Sequence, residues 1–288
     1  MTPHHLTGPD GVDLAAYDFG GDGPPLMLAH ATGFHARVFE PMVGRLRAWF
    51  HCYGFDERGH GASAIPADGN FDWRRSAADL AAVVDYFGLD GPYGFGHSCG
   101  GALLVLDEQT RPGTWRAMYT FEPVIPPPGA YGESPDQIVG DLAANPMAAG
   151  ALRRRADFPS RPAALQNYAG KPPFDVLAPE ALAAYVEYGF VDTDEGTVTL
   201  ACRPESEAAT YANAPLHGAW HRLGDVDCPV VVACGADSTH FTPAANQAVA
   251  DRLAHGRVDI IAGLGHFGPL QDPALVAASV VAALTPSP

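Results

Sequence analysis

A serine flanked by glycines joins a predicted strand to a predicted helix near residue 98. The apolar segment 92–97 (PYGFGH) predicts a buried strand, and 99–109 (CGGALLVLDEQ) follows it without a linker and predicts a helix. Gly96 and Gly100 stand two positions before and after Ser98. A strand-to-helix turn this tight leaves no room for side chains at the flanking positions and exposes the central one above the sheet. The turn therefore indicates a sheet covered by helices, and it makes Ser98 a candidate nucleophile.

Short apolar strands alternate with helices on both sides of this turn. Repeated strand–helix units are typical of an α/β fold with a mostly parallel central sheet and helices on both faces. Predicted strands cover 12–19, 24–31, the start of 50–63, 92–97, 115–123, 228–237 and 257–263, and predicted helices cover 34–49, 72–89, 99–109, 243–254 and 272–284.

The alternation stops over residues 124–215, which are rich in proline and alanine and contain helical stretches such as 179–190. We therefore expect one α/β core, 1–123 and 216–288, interrupted by a mainly helical insert. Ligands of open α/β sheets bind at the carboxyl ends of the strands. The insert leaves the sheet just after Glu122, at such an end, so we expect it to cover the site as a cap or lid.

Charge and cysteine content exclude several classes of function. The net charge of -16 disfavours binding to nucleic acid or to anionic membrane surfaces, because both would be repelled. The five cysteines are odd in number and lack paired metal-ligand spacing, so neither a disulfide framework nor a metal site is expected. No dinucleotide-binding glycine pattern is present apart from the glycines of the turn. We therefore expect no cofactor and a small-molecule substrate.

The amino-terminal segment MTPHHLTGPDGVDL shows no basic start followed by an apolar run, and no apolar stretch reaches the roughly 20 residues needed to span a bilayer. These features predict a cytoplasmic protein that does not associate with membranes. Whether it is a monomer or a homodimer is left open.

A serine hydroxyl is a weak nucleophile unless a base, oriented by an acid, removes its proton. His266 follows the last predicted strand, between glycines and before the last helix, and is the best placed of the 12 histidines to be that base. An acyl-transfer site also needs two backbone N–H groups for the oxyanion. We expect one from Cys99, directly after the serine, and the other from Thr32 in the loop 30–35, with Phe34 as an alternative.

Three further residues flank the expected site. His30 and His97 are interpreted chiefly as braces that hold loops by hydrogen bonds, although their position also makes them candidates for contact with the substrate. Phe34, in the same loop as His30, is a third candidate for substrate binding.

Four motifs together resemble those of the α/β-hydrolase superfamily, and the similarity covers about 1–123 and 216–288. The resemblance implies the α/β-hydrolase fold, a serine nucleophile with a histidine base, and a cap at the position of the insert. It does not specify a substrate, because this fold supports many reactions. The motifs are HATG (30–33, with Ala31 where glycine is usual), DERGHGAS (56–63), GHSCGG (96–101) and GHF (265–267).

Two carboxylates fit the order Ser, acid, His. Asp237 follows the strand after which the superfamily most often keeps its acid, yet one residue separates it from Gly235 where two are usual. Glu122 ends the predicted strand that comes after the helix 99–109. Haloalkane dehalogenases and certain fungal peroxisomal acyl-CoA hydrolases keep their acid at this strand end. Glu122 is favoured as the acid, with Asp237 as the alternative. The two could also act together, one as the acid and the other as its hydrogen-bond support.

A serine at this turn predicts an acyl-enzyme and therefore cleavage of a carboxylic ester or thioester. The aromatic residues of the insert favour an apolar acyl group, and its basic residues raise the possibility of a phosphate site for a coenzyme A thioester. Alternatives are other chemistry with the same three residues (lactone or C–C bond hydrolysis, perhydrolysis) and a non-catalytic ligand-binding protein. The aromatic residues are Tyr131, Phe158, Tyr168, Phe174, Tyr185, Tyr188, Phe190 and Tyr211, and the basic ones are Arg153, Arg154, Arg155, Arg161 and Lys171.

Overall fold

The computed structural model describes residues 1–130 and 145–285. Among these residues the strands are β1 (His4–Thr7), β2 (Asp13–Gly20), β3 (Pro25–Ala29), β4 (His51–Phe55), β5 (Tyr93–His97), β6 (Ala117–Phe121), β7 (Asp157–Phe158), β8 (Phe190–Asp192), β9 (Val198–Leu200), β10 (Val230–Gly235) and β11 (Gly256–Ile261). The α-helices are α1 (Glu40–Leu46), α2 (Trp73–Tyr86), α3 (Cys99–Thr110), α4 (Pro146–Leu152), α5 (Arg161–Ala169), α6 (Pro179–Tyr188), α7 (Pro204–Asn213), α8 (Pro243–Ala250), α9 (Gly268–Gln271) and α10 (Pro273–Leu284).

Eight strands form the central sheet, in the order β1-β2-β4-β3-β5-β6-β10-β11. The pairs β1/β2 and β2/β4 are antiparallel, and the five remaining pairs are parallel. The predicted fold class, a mostly parallel sheet flanked by helices, is confirmed. Its consequence for function is geometric: the loops after β3, β4, β5, β6, β10 and β11 all leave the same edge of the sheet.

Side chains alternate between two apolar layers because successive residues of a strand point to opposite faces. In β3, Leu26 and Leu28 join one buried cluster while Met27 and Ala29 join the other. The first cluster also takes in α1 and α10, and the second takes in α2, α3 and α8. Both faces of the sheet are therefore covered, as its continuously apolar strands require.

One predicted helix, 34–49, is shorter than expected. A single 3₁₀ turn, Ala36–Phe39, precedes α1, which begins at Glu40. Proline lacks an N–H donor and is tolerated only in the first turn of an α-helix. Pro41 occupies that first turn, so the α-helix begins there and not at residue 34.

The insert contains helices α4 to α7 and also a three-stranded antiparallel sheet in the order β7-β9-β8. This sheet was not predicted, because strands of two or three residues carry too little periodicity to be recognised. The insert contacts the core at several points; Trp73 Nε1 donates to Thr210 O at 2.9 Å, and Ala178 N donates to Leu270 O at 2.9 Å. Residues 131–144 of the predicted cap, Tyr131 among them, lie outside the described residues.

Candidate active site

Ser98 stands at the junction of β5 and α3 in a strained backbone conformation. Its φ of 56° and ψ of -112° lie in a region that residues other than glycine rarely adopt. A Cβ on Gly96 would lie 2.6 Å from Gly100 C, and a Cβ on Gly100 would lie 2.2 Å from Ala29 O. The two glycines are therefore required by contact between backbone segments, and the turn presents the serine side chain at the carboxyl edge of the sheet.

Glu122 is the other residue besides glycine with a positive φ, 46°, among the described residues. It follows β6 directly and is fully buried. Its Oε1 accepts a hydrogen bond from Gly235 N at 3.0 Å, and its Oε2 accepts one from Ser238 Oγ at 2.9 Å. The same Oε2 accepts a 2.7 Å hydrogen bond from His266 Nδ1. This buried carboxylate is thus held by three donors, one of them an imidazole.

His266 lies between β11 and α9 with its ring stacked on Phe241, at 4.6 Å between centroids. Because Nδ1–H donates to Glu122, the other ring nitrogen, Nε2, is the unprotonated one and can accept a proton. Nε2 has no hydrogen-bond partner among residues 1–130 and 145–285. The tautomer required of a general base is therefore set by the buried carboxylate.

The Ser98 side chain is 8% exposed and does not cap α3. It forms no side-chain hydrogen bond within the described parts of the chain, to His266 or to any other residue. In unliganded sites such contacts are often long and tighten only when substrate binds. One neighbouring bond joins the serine and histidine loops, because His97 Nε2 donates to His266 O at 2.8 Å. Another joins the serine to the end of β6, where Ser98 N donates to Phe121 O at 2.9 Å.

Asp237, the alternative acid, is in a different environment. It is exposed, and its backbone N–H donates to Leu264 O at 2.9 Å. Within the described residues its carboxylate bonds neither His266 nor any other side chain. The structure therefore pairs Glu122, and not Asp237, with the histidine.

Two backbone N–H groups near Ser98 are unoccupied. Thr32 N and Cys99 N form no hydrogen bond with any residue that the structure describes. The N–H of Phe34, the alternative donor, is already bonded to Ala31 O at 3.1 Å, and that of Gly33 is bonded to His60 Nε2 at 3.0 Å. Among these groups, the N–H of Thr32 and of Cys99 are therefore free to donate to a ligand, whereas that of Phe34 is already bonded.

The loop after β4 holds the loop after β3 in this arrangement. Asp56 accepts from Ala36 N at 2.7 Å and from Ala62 N at 2.8 Å, and His60 accepts from Gly33 N as described. Burial lowers the pKa of His60 to about 4, so its ring is neutral and Nε2 can accept. The DERGHGAS motif acts here as a scaffold for the Thr32 loop.

Two histidines that were candidates for contact with the substrate are buried and form hydrogen bonds within the protein. His30 is completely buried; its Nδ1–H donates to Ala31 O at 2.8 Å, and its Nε2 accepts from Glu57 N at 2.9 Å. His97 is equally buried, and its Nε2–H supports the carbonyl of His266. Both ring nitrogens of His30 are committed to the backbone, and neither ring is accessible. The substrate-binding expectation for these residues is corrected: they brace loops.

Phe34 lies at the boundary between core and insert. Its ring is 5.2 Å from that of Tyr185, 5.9 Å from Phe174 and 5.9 Å from Phe267, measured between centroids. Phe267 directly follows His266. These rings form an apolar wall beside the Ser98–His266 region, where the carbon skeleton of a substrate could pack.

The basic residues of the insert were considered as a possible phosphate site. Arg154 turns into the protein, while Arg155, Arg161 and Lys171 engage separate partners on the surface. These contacts give no support to a shared phosphate site. Arg155 Nε donates to Asp157 O, Arg161 Nη1 to Asp192 Oδ1, and Lys171 Nζ to Asn167 Oδ1.

Sequence reasoning missed two side chains at the site. Ser238 donates to Glu122, and its position one residue after Asp237 carried no motif signal. Glu57 is buried beside Cys99, whose Sγ lies 3.5 Å from Glu57 Oε2, while Oε1 has no partner among the described residues. The signal for Glu57 was available, because a carboxylate occupied the variable position of the DERGHGAS motif.

Burial raises the pKa of Glu57 from the ordinary 4.5 to about 8, with the nearby carboxylates of Asp79 and Asp56 adding to the shift. The folded protein therefore keeps a proton on Glu57 between these two pH values, whereas the unfolded chain releases it. Because the folded state then binds more protons, Glu57 makes the protein less stable as pH rises from about 4.5 to about 8.

We therefore expect the Glu57→Gln variant to gain stability relative to wild type as pH rises. The difference in free energy of unfolding should grow by roughly 4 kcal/mol between pH 5 and pH 8, at about 1.4 kcal/mol per unit of pKa shift. Urea unfolding at three pH values measures it. The exposed Glu205→Gln variant is the control, and a difference for Glu57→Gln that is flat with pH would contradict the prediction.

Two other features, a metal site and a membrane-spanning helix, are absent from the described parts of the chain. No group of three or more His, Cys, Asp or Glu side chains there could hold a metal ion. No helix there is both long enough and apolar enough to cross a bilayer.

Comparison with known proteins identifies the fold and gives several hydrolases as relatives. The sequence model of the alpha/beta hydrolase family matches residues 26–279. A bifunctional esterase/perhydrolase of Acinetobacter calcoaceticus is 31% identical over 145 residues, which is 48% of this chain and about half, 52%, of that relative. An (E)-2-((N-methylformamido)methylene)succinate hydrolase of Acinetobacter baylyi is 25% identical over 93% of both chains.

Solved structures agree on the fold. The crystal structure of E-2-(acetamidomethylene)succinate hydrolase matches with a TM-score of 0.78 and 20% identity over 98% of both chains. A thioesterase domain from the curacin biosynthetic pathway matches with a TM-score of 0.79 and 16% identity, covering 98% of this chain and 99% of that domain.

Proposed function

This chain belongs to the alpha/beta hydrolase family, and from that premise we propose that it is a serine hydrolase that cleaves a carboxylic ester or thioester through an acyl-enzyme on Ser98. In this proposal His266 is the base and Glu122 the acid. Thr32 and Cys99 donate to the oxyanion, and the insert covers the site as a cap. The observation that carries the proposal is the 2.7 Å bond between His266 Nδ1 and the buried Glu122 carboxylate, beside a serine in a strained turn.

Acylation begins when Ser98 Oγ attacks the carbonyl carbon of the substrate and its proton passes to His266 Nε2. Glu122 stabilises the imidazolium that forms, because its carboxylate stays on the Nδ1 side of the ring. The carbonyl oxygen becomes an oxyanion and accepts hydrogen bonds from the N–H groups of Thr32 and Cys99, an interaction that is strongest in the transition state.

The tetrahedral intermediate collapses when the bond to the leaving oxygen or sulfur breaks. His266 gives its proton to that atom, and an alcohol or thiol departs. A water molecule then attacks the acyl-enzyme and yields its proton to Nε2. Collapse of the second intermediate releases the carboxylic acid, and Ser98 Oγ recovers its proton from the histidine.

The aromatic wall of Phe34, Phe174, Tyr185 and Phe267 supports an acyl group with an apolar carbon skeleton. The scattered basic residues remove the reason to favour a coenzyme A thioester over a plain ester. The relatives named above differ in their substrates, so membership of the family does not select the acyl group.

We expect esters to be cleaved faster than acyl-coenzyme A thioesters of the same chain length. The test is a panel of 4-nitrophenyl esters and coenzyme A thioesters from two to eight carbons. Labelling with a serine-reactive phosphonate, followed by peptide mass analysis, identifies the nucleophile. A thioester preference above about tenfold, equivalent to about 1.4 kcal/mol, would contradict the expected order. A phosphonate that spares Ser98 would contradict the proposal itself.

Perhydrolysis is the second candidate, because a relative matched over about half its length is named an esterase/perhydrolase. Hydrogen peroxide would then replace water as the nucleophile that attacks the acyl-enzyme, and a peracid would leave. Peracid formation from acetate and peroxide by wild type, but not by Ser98→Ala, would support it.

A further inference from the structure

One cation of the insert lies inside the protein, surrounded by hydroxyl groups. Arg154, which follows α4, has a side chain 16% exposed to solvent. Its Nη1 donates to Glu207 Oε2 at 2.5 Å, and its Nη2 donates to the hydroxyl oxygens of Tyr185 at 2.5 Å and Tyr168 at 3.2 Å. The guanidinium thus ties three elements of the insert together: α5, α6 and α7.

This cluster has more hydrogen-bond donors than acceptors. The hydroxyl oxygens of Tyr168 and Tyr185 both accept from Arg154, so each hydroxyl still has its own proton to donate. Neither proton has an acceptor among the described residues. Burial raises the pKa of Tyr185, which keeps this phenol protonated. Tyr185 is 1% exposed and Tyr168 is 7% exposed; because buried donors without acceptors are costly, a ligand oxygen that accepts from these hydroxyls would be stabilised there.

The cluster adjoins the loop 30–35, which carries Thr32. The point that a Cβ on Gly33 would occupy lies 2.6 Å from Glu207 Oε1 and 3.4 Å from Arg154 Nη1, and Gly33 follows Thr32. The ring of Tyr185 contacts that of Phe34 in the same loop. An anion bound here would therefore be a few carbon atoms away from a carbonyl whose oxygen accepts from Thr32 N.

A carboxylate fits this site better than a phosphate does. The single positive charge of Arg154 is balanced by the carboxylate of Glu207, so the cluster offers a ligand hydrogen-bond donors and no net positive charge. A monoanion held by the remaining N–H and the two phenol O–H groups leaves one uncompensated negative charge, whereas a dianion would leave two and cost more to desolvate.

We propose that Arg154, Tyr168 and Tyr185 bind a carboxylate of the substrate, so that the enzyme prefers an acyl group whose short apolar chain ends in a second carboxylate. This inference rests on the proposed function and names its substrate class. Phe34 and Phe174 would contact the carbon chain between the two ends, and the second carboxylate would select the length of that chain.

The experiment compares pairs of esters that are close in shape and of which only one carries a negative charge. Monomethyl succinate and monomethyl glutarate are tested against their neutral methyl-ketone analogues, methyl levulinate and methyl 5-oxohexanoate, with acid release followed in a pH-stat. We expect wild type to have a higher kcat/KM for the anionic member. In Arg154→Gln the ratio of anionic to neutral kcat/KM should fall by about 10- to 100-fold, the range of a charge-assisted hydrogen bond.

Tyr185→Phe removes one donor and leaves the guanidinium, so it keeps the test informative if Arg154→Gln does not fold. We expect it to lower the same ratio by about 3- to 10-fold. Arg161→Gln is the matched control, because Arg161 pairs with the exposed Asp192 away from this cluster; its ratio should equal that of wild type. A second readout is competitive inhibition by succinate and glutarate, which should weaken in the first two variants.

Two results would overturn the inference. One is a wild type that treats the anionic and neutral esters alike. The other is a uniform loss on both esters in Arg154→Gln and Tyr185→Phe, which would make the cluster a clamp between helices only. If the proposed function itself were wrong, no ester of either charge would be cleaved in a Ser98-dependent manner.

Discussion

We expect the Ser98→Ala variant to lose at least about 10⁴-fold in kcat for ester hydrolysis, with KM little changed. The turn is set by Gly96 and Gly100, and alanine keeps a Cβ in the same strained conformation, so the fold should persist. What disappears is the oxygen that forms the acyl-enzyme. The measurement is steady-state hydrolysis of the best 4-nitrophenyl ester, with circular dichroism to check folding.

Ser160→Ala is the matched control for this variant. Ser160 Oγ caps α5 in the insert by accepting a 3.3 Å hydrogen bond from Ala163 N, and it has no proposed role in catalysis. Its loss should cost about 1 kcal/mol of stability and less than threefold in kcat. A Ser98→Ala protein that keeps more than a hundredth of wild-type activity would show that catalysis does not pass through an acyl-enzyme on this residue.

The second large effect is expected for Glu122→Gln, a loss of roughly 10³- to 10⁴-fold in kcat. Glutamine has the same shape but cannot stabilise the imidazolium, and its amide can hold the ring in the wrong tautomer. Glu122 accepts three hydrogen bonds, so the substitution also leaves donors from Gly235 or Ser238 poorly matched. Kinetics on the same ester, together with thermal unfolding, separates the catalytic loss from the structural one.

Asp237→Asn is the decisive comparison for Glu122→Gln. Asp237 is exposed and bonded to no other side chain within the described residues, so the variant should stay within about threefold of wild type. If Asp237→Asn lost more than Glu122→Gln, the acid of the reaction would be Asp237, and the bond between Glu122 and His266 would serve the unliganded enzyme alone.

Local sequence was enough to predict the strained turn at Ser98 and the loop that carries His266. A serine between two glycines at a strand–helix junction has few conformations open to it, because backbone contacts at Gly96 and Gly100 exclude side chains. His266 could be chosen from its place after the last strand. The order of strands and helices likewise predicted the α/β fold, since repeated strand–helix units pack well as a covered, mostly parallel sheet.

Which of the two candidate carboxylates pairs with His266 depended on contacts between distant parts of the chain. Residues 122 and 266 are far apart in sequence, and both Glu122 and Asp237 end strands at the same edge of the sheet. Only the three-dimensional arrangement shows which carboxylate is buried and faces the imidazole. One residue separates Gly235 from Asp237 where two are usual. This departure counted against Asp237, but the sequence alone could not decide whether it excluded that residue.

Side-chain direction was the other feature that only tertiary structure decided. The sequence by itself determined the fold class, the strained serine and the loop that carries the histidine, because each depends on local backbone geometry. Long-range packing decided that His30 and His97 brace loops, and that Arg154 turns inward while its basic neighbours stay outside. Charged and polar side chains take the orientation that satisfies their hydrogen bonds, and those partners come from elements that are remote in sequence.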